Sequence, residues 1–321
     1  MIQEEQWEQA VELLAGSDEI VAACHVNPDG DALGSMFGLA SFLERQGKKV
    51  WRSWGTKPVQ VPPQYAFMPG ASLLVQPGDV PIEIPTFVAV DCADRARLGV
   101  LEKVFESAGA HLNIDHHISN DLFGDVNLVE PGAASTSEII YRLIRRMGGE
   151  PNADEATCLY TGIVTDTGRF QYANTAPDTL RIAAELRDLG VDHEFIATEV
   201  YESTSFEYLH ALGIVLFRAQ LEDGMVWSRL DKKDLGGLDM DETEHFIDAL
   251  RTVRESTMAV LLKEISAGYY KGSLRSRGEV DVSLIAKALG GGGHARAAGF
   301  EVHGTAEEII ARIQALIPSG E

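Results

Sequence analysis

"AHLNIDHH", residues 110–117, is a short apolar run that ends in one carboxylate and two adjacent imidazoles. Apolar residues on both sides of a short run read as a strand buried on both faces, the pattern of a parallel sheet covered by helices. Two other runs have the same form, EIVAACHV at 19–26 and TFVAVDC at 86–92, and each is followed by a helical pattern. After the first of them, DALGSMFGLASFLERQG sets Leu33, Phe37, Ala40 and Leu43 at helical spacing, with Gly47 as the stop. Ser135, Thr136 and Ser137 offer N-caps to a helix through Ile139, Ile140, Leu143 and Met147. A further helix is predicted over 153–165, and Pro177 opens one that closes at Gly190. Short strands alternating with helices predict an α/β domain with a mostly parallel sheet flanked by helices.

Beyond Gly190 the pattern changes. A helical connector is predicted over 191–212, then a hairpin in LFRAQLEDGMVWSRL with its turn at Asp223 and Gly224. A helix near 241–253, the strand pair MAVLLKEIS and YYKGSLRS, a helix VDVSLIAKAL, a glycine run, a strand AAGFEV and a last helix from about 305 complete the chain. The expected division is a catalytic domain over 1–190, the connector 191–212 and a smaller α/β domain over 213–321.

With 321 residues the chain is long for a single core, which favours two domains. The opening MIQEEQWEQAVELLAG has neither a basic head nor a continuous apolar segment and reads as an amphipathic helix, and no later run has the roughly 20 apolar residues of a membrane span. A cytoplasmic protein without a membrane partner is the expectation. Cys24, Cys92 and Cys158 are odd in number and set in apolar patterns, which suits buried, reduced thiols better than disulfides or a zinc site. The formal charge of −22 repels polyanions and argues against a grip on long nucleic acid. Small anions remain open to it if metal ions or a local basic patch receive them.

Four segments carry acids to the ends of predicted elements: His25, Asp29 and Asp31 in HVNPDGD, Asp91 in VAVDC, Asp115 with His116 and His117, and Asp166 in TGIVTDTGRF. In an open parallel sheet the crevice beyond the carboxyl ends of the strands gathers such residues. Taken singly, each acid is an ordinary helix cap or turn residue. Together, five carboxylates in one crevice repel strongly unless cations intervene or some protonate. Oxygen and imidazole donors without thiolate point to Mn²⁺, with Mg²⁺ or Co²⁺ as substitutes. The number of donors suits two ions about 3.5 to 4 Å apart, with Asp91 as the bridge.

The motifs HVNPDGDALGS, VDCADRARLG, NIDHHISN, AASTSEIIY, TGIVTDTGRFQY and GGGGHARAAGF resemble, in order, those of the DHH phosphoesterases with a C-terminal DHHA1 domain. The likeness runs from about residue 18 to 303 and is nearest to the branch of small bacterial oligoribonucleases that also act as pAp phosphatases. It implies a second domain with a mixed sheet, and a two-metal enzyme that hydrolyses short oligoribonucleotides (nanoRNA) to mononucleotides and removes the 3′-phosphate of pAp to give AMP. It further implies that His25 and Asp29 hold one metal, that Asp31, His116 and Asp166 hold the other, and that Asp91 bridges them. Asp115 would orient the imidazoles or touch a metal, and His117 would face the substrate phosphate or protonate the leaving oxygen. A homodimer is compatible with this reading.

Segment 263–296 carries six cations against three acids, a local +3 in an acidic chain. Arg275, Arg277, the glycines Gly291, Gly292 and Gly293, and His294 are the candidate substrate-binding residues. A glycine run lets backbone N–H groups approach an anion, although by itself it is as readily a turn. A cradle on one domain and metals on the other imply a cleft sized for a few nucleotides. Two alternatives stay open: a cyclic-dinucleotide or pApA phosphodiesterase on the same scaffold, and, in another class, a non-catalytic nucleotide-binding protein.

Overall fold

A computed structural model gives the fold and describes residues 2–277 and 280–317. The chain divides into two compact units between Ser203 and Thr204. The first contains α1 (Glu4–Gly16), β1 (Glu19–Cys24), α2 (Gly30–Arg45), β2 (Lys49–Trp54), β3 (Thr86–Val90), α3 (Glu102–Ser107), β4 (Ala110–Asp115), β5 (Val126–Val129), α4 (Thr136–Arg146), α5 (Ala153–Asp166), α6 (Pro177–Asp188) and α7 (His193–Tyr201). Its five strands are all parallel, in the order β2-β1-β3-β4-β5. The chain steps outward from β1 to β2 and then returns past β1 to β3. The strand order therefore reverses between β1 and β3, and the crevice beyond their carboxyl ends is the place where doubly wound sheets bind ligands.

Both sheet faces are buried. Ile20, Ala22 and Cys24 of β1 join a core with Leu33, Phe37 and Ile139, while Val21 and Ala23 face a second core with Phe87, Leu98 and Phe105. This explains why the strands read as unbroken apolar runs. Two strands escape that pattern. In β2, KVWRSW, a buried Arg52 interrupts the run, and its charge is met by two hydrogen bonds to Glu44, at 3.0 and 2.6 Å. β5 is a four-residue strand at the sheet's edge, too short to show a period.

Helix α2 is buried nearly throughout its length and runs antiparallel to α5 in very close contact. A Cβ at Gly34 would lie 2.4 Å from the Cys158 carbonyl oxygen, and one at Gly162 would lie 2.0 Å from the Ser137 hydroxyl. Gly34 lets α2 and α5 approach and Gly162 makes room for Ser137 of α4 and Asp31 of α2, which brings the N-terminus of α2, with Asp31, to the C-terminus of α5, with Asp166. Cys24, Cys92 and Cys158 are buried and unpaired.

The second unit contains α8 (Phe206–Phe217), β6 (Gln220–Glu222), β7 (Met225–Leu230), α9 (Phe246–Leu250), β8 (Met258–Ser266), β9 (Tyr269–Ser276), α10 (Val282–Ala288), β10 (Gly292–His294), β11 (Ala297–His303) and α11 (Ala306–Gln314). The sheet order is β10-β11-β9-β8-β7-β6, with β7 and β8 parallel and the other pairs antiparallel, so the sheet is mixed. Ile285, Ile309 and Ile313 of α10 and α11 cover one face, and Val215, Phe246 and Ile247 of α8 and α9 cover the other.

The helical connector expected over 191–212 consists of two helices, α7 and α8, because Ser205 caps a new helix by accepting from the Tyr208 N–H. Three other expectations need correction. Leu216 and Phe217 belong to α8, so the hairpin is only β6 and β7, turning through Asp223 (φ 46°) and Gly224 (φ 77°). The helix expected near 241–253 shrinks to the five residues of α9 behind a short turn at Met240–Thr243. The glycine run extends into a strand, β10, paired with β11. Among the described residues no helix is long and apolar enough to cross a membrane.

Candidate active site

The first three ligand-bearing segments leave the sheet side by side. His25 follows β1, Asp91 follows β3, and Asp115 ends β4, with His116 and His117 next. The Asp91 backbone turns left-handed at φ 54°, a conformation Asp tolerates better than most residues, while its N–H donates to the Ile114 carbonyl at 2.9 Å. The turn places a fully buried carboxylate at the centre of the cluster. Its oxygens lie 3.5 Å from His25 Nε2, 3.7 Å from His116 Nε2 and 3.7 Å from His117 Nδ1. His116 Nε2 is also 3.6 Å from Asp166, and His25 Nε2 is 4.0 Å from Asp29.

Several members are aimed by a neighbour. The His25 ring donates from Nδ1 to the Val26 carbonyl at 2.8 Å, leaving Nε2 to face Asp91. Asp29 is the N-cap of α2, accepting from the N–H groups of Asp31 and Ala32 at 3.1 and 3.0 Å through one oxygen, while the other faces His25. Asp29 is thus both an ordinary cap and a member of the cluster. Asp31, almost completely buried, accepts from the Thr136 and Ser137 N–H groups at 2.6 and 3.0 Å, so the start of α4 holds it. Asp115 takes the His117 Nδ1–H at 2.7 Å on one oxygen and the Asn120 amide at 2.6 Å on the other.

Electrostatics shows how the acids coexist. Burial pushes the Asp31 carboxyl well above its usual range, and the charges of Asp91 and Asp166 add to the shift. Burial also raises Asp166, to about 6, against the pull of His116. Burial opposes ionisation of Asp91 as well, but its contact with His25 and the charges of His116, His25 and His117 outweigh it and bring the group to about 2. For His117 the hydrogen bond to Asp115 dominates and raises it to about 9. Burial disfavours a charged His25, yet the contact with Asp91 and its charge raise that imidazole too. Asp91 is thus held ionised by the imidazoles around it, while burial and neighbouring acids favour the protonated form of Asp31.

Those donors suit divalent cations. Three triads have ligand atoms within 4.8 Å of one another: His25, Asp29 and Asp91; Asp91, His116 and His117; and Asp31, His116 and Asp166. Spacings of 3.5–4.0 Å are too long for hydrogen bonds, yet two donors each about 2.1 Å from one ion stand about 3 to 4 Å apart. No lysine or arginine pairs with Asp31 or Asp91 among the described residues, so a bound cation would supply their countercharge.

All eight candidates of the first unit, His25, Asp29, Asp31, Asp91, Asp115, His116, His117 and Asp166, meet in this crevice. Residues absent from the candidate list also serve it. Thr136 Oγ1 donates to Asp91 at 2.9 Å, Ser35 donates to Asp31 at 3.2 Å, and Asn120 ties Asp115 to Asn113 and the Cys92 carbonyl. Asn174 donates to the carbonyls of Ala134 and Asp166, at 3.0 and 3.2 Å. The run AASTS reads in the sequence as a helix cap and as part of a family motif, and it is the cap, by delivering N–H groups and a hydroxyl, that supports the acids.

The candidates of the second unit are placed differently. Strand register sets Arg275 opposite Ala297 and Ala297 opposite His294, so these positions share one row of the sheet. Arg275 donates to its neighbouring Leu274 carbonyl and lies 4.0 Å from Asp248, and Arg277 donates to the Val253 carbonyl. A Cβ at Gly291 would fall 2.1 Å from the Gly299 carbonyl oxygen, and one at Gly293 would fall 2.5 Å from the Ala298 Cα, whereas Gly292 has open space. The side chain of His294 lies outside the described ones.

Two family models match the chain: the DHH family, N-terminal domain, over residues 19–163, and the DHHA1 domain, over residues 229–318. A bifunctional oligoribonuclease and PAP phosphatase, NrnA, of Thermus thermophilus is 36% identical over 297 residues, spanning 91% of this chain and 86% of that protein. Its namesake in Bacillus subtilis is 29% identical and spans 95% of this chain and 96% of the relative. Among solved structures, an exopolyphosphatase-related protein from Bacteroides fragilis superposes with a TM-score of 0.90 at 29% identity, covering 98% of this chain and 96% of its own.

Proposed function

The chain belongs to the DHH family of phosphoesterases, and from that premise we propose that it hydrolyses short oligoribonucleotides to mononucleotides and removes the 3′-phosphate of pAp to give AMP. The observation that carries the reading is Asp91, a buried, ionised carboxylate common to two of the three donor triads. The names of the relatives from Thermus thermophilus and Bacillus subtilis support the choice of substrate.

In this reading His25 and Asp29 hold one divalent cation, Asp31, His116 and Asp166 hold a second, and Asp91 serves both. Manganese is the proposed ion, with magnesium or cobalt as substitutes, because the donors are oxygen and imidazole. Such ions, when bound, lower the pKa of water and offset charge on the phosphate under attack. The protein's own part is positional. Thr136 and the first N–H groups of α4 hold Asp91 and Asp31 in place. Asp115, itself pinned by Asn120, occupies Nδ1 of His117 and leaves Nε2 as the nitrogen that meets the substrate. Raised to about 9, the His117 ring is charged at neutral pH and can donate a proton to a phosphate or leaving-group oxygen.

Holding the rest of the substrate falls, in the same proposal, to Arg275, Arg277, Gly291, Gly292, Gly293 and His294. A short substrate has few phosphates, so a chain of net charge −22 needs only metals and a local basic patch to bind it. The test is a manganese-supplemented digestion of labelled di- to pentaribonucleotides with pAp in parallel. Mononucleotides from the oligomers and AMP plus phosphate from pAp are expected. Turnover of cyclic dinucleotides alone, or none of these, would overturn the reading.

A further inference from the structure

Immediately after Asp166 the backbone enters the left-handed region three times in succession, at Gly168 (φ 55°), Arg169 (φ 62°) and Phe170 (φ 63°). Two consecutive non-glycine residues there are strained and persist only where their surroundings hold them. Those surroundings are visible. The Arg169 N–H donates to the Val164 carbonyl at 2.8 Å, the Phe170 N–H donates to Thr167 Oγ1 at 3.1 Å, and Thr167 is completely buried. Phe170 packs against the main core, with its ring 6.4 Å from that of Tyr160. Gly168 suits this turn, since its φ is left-handed and a Cβ there would lie 2.4 Å from the Tyr172 ring and displace it. Turning Phe170 inward leaves Arg169 outward and exposed.

The guanidinium of Arg169 lies 4.7 Å over the Tyr201 ring, and the Tyr201 hydroxyl donates to the Val164 carbonyl at 3.2 Å. One face of the guanidinium is thereby fixed while its N–H edge stays available. Among the described residues it has no carboxylate partner, whereas Arg45, Arg52, Arg95 and Arg142 of the same unit each meet one. Two links tie the position to the acid cluster, one along the chain and one through Tyr201. Arg169 is three residues beyond Asp166, and Tyr65 lies close enough to both Asp29 and Tyr201 for their charges to act on its hydroxyl.

We propose that Arg169, braced on Tyr201, is a substrate-binding residue that takes a phosphate other than the one being cleaved, so that the first unit itself selects substrates bearing a second phosphate. The strained turn exists to present this charge-assisted, forked donor beside the metal ligands rather than to stabilise the fold. The inference rests on the phosphoesterase reading above and adds a second anchor in the catalytic unit.

The test compares kinetics on pAp and a 5′-phosphorylated diribonucleotide with those on bis(p-nitrophenyl) phosphate, which has a single phosphate. For Arg169→Ala, KM for the two-phosphate substrates should rise about tenfold or more, while kcat/KM for the single-phosphate ester stays within about twofold. Arg169→Gly, which relieves the left-handed strain, should give the same split with a melting temperature no lower than wild type. Arg169→Lys should recover only part of the loss. Equal losses on all substrates, or an unchanged KM for pAp and the dinucleotide, would overturn the subsite. A wild-type protein that cleaves the nitrophenyl ester but neither natural-type substrate would overturn the functional reading, and the subsite with it.

Discussion

His25, His116 and His117 stand 3.5–3.7 Å from Asp91, too far for hydrogen bonds, whereas at the glycine-rich edge of the second unit Gly291 and Gly293 sit so close to β11 that a Cβ would fall 2.1 and 2.5 Å from its backbone. One region keeps polar groups apart, and the other presses backbone together. Keeping acids and imidazoles apart requires supports from outside, which Thr136, Asn120 and the α4 amides supply. Pressing two strands together requires only that side chains be missing. Unusual composition therefore has different causes in the two places. In the first it follows from what the groups can bind, and in the second chiefly from how closely two strands pack.

The sharpest way to break this contrast is Asp91→Asn, which keeps size and tolerance of the left-handed turn but removes the shared charge. Activity in saturating manganese should fall by roughly 10³-fold or more with the far-UV circular dichroism unchanged. A loss under tenfold would mean the cluster is not organised about Asp91. Next is Gly293→Ala, at φ 143° and with no room for a methyl group, which should lower stability to denaturant by about 2–3 kcal/mol. Thr136→Val should leave α4 in place while removing one hydrogen bond from Asp91, so kcat should drop by about tenfold, with about 1 kcal/mol lost in stability. The smallest effect belongs to Gly292→Ala, whose surroundings are open, and denaturant midpoints should shift by less than about 0.5 kcal/mol equivalent. If Gly292→Ala proves as destabilising as Gly293→Ala, the packing account of the glycine run fails. If it raises KM without altering stability, the run serves the substrate as proposed as well as the strand packing.

Much of the first unit could be read from residues. β1, β3 and β4 are legible because a strand buried on both faces must be apolar throughout, and their ends are marked by the acids and imidazoles that follow. β2 was hidden because Arg52 breaks the apolar run and is tolerated only through Glu44, a partner on α2. In the second unit, the Asp223-Gly224 turn was legible for a local reason, its two positive φ angles. The extent of α9 and the strand character of β10 depend on which neighbours cover them, and no local pattern records that.

The amino-acid order by itself determined the elements whose cause is local: the apolar strands of the parallel sheet, the capped helices, and which polar residues stand at strand ends. Only the tertiary structure decided that the sheet reverses between β1 and β3, that α4 points its first amides at Asp31, and that Arg169 is turned outward onto Tyr201. Those outcomes rest on contacts between residues distant in the chain, where close approach of backbones and burial of charge are settled by the partner and not by the residue.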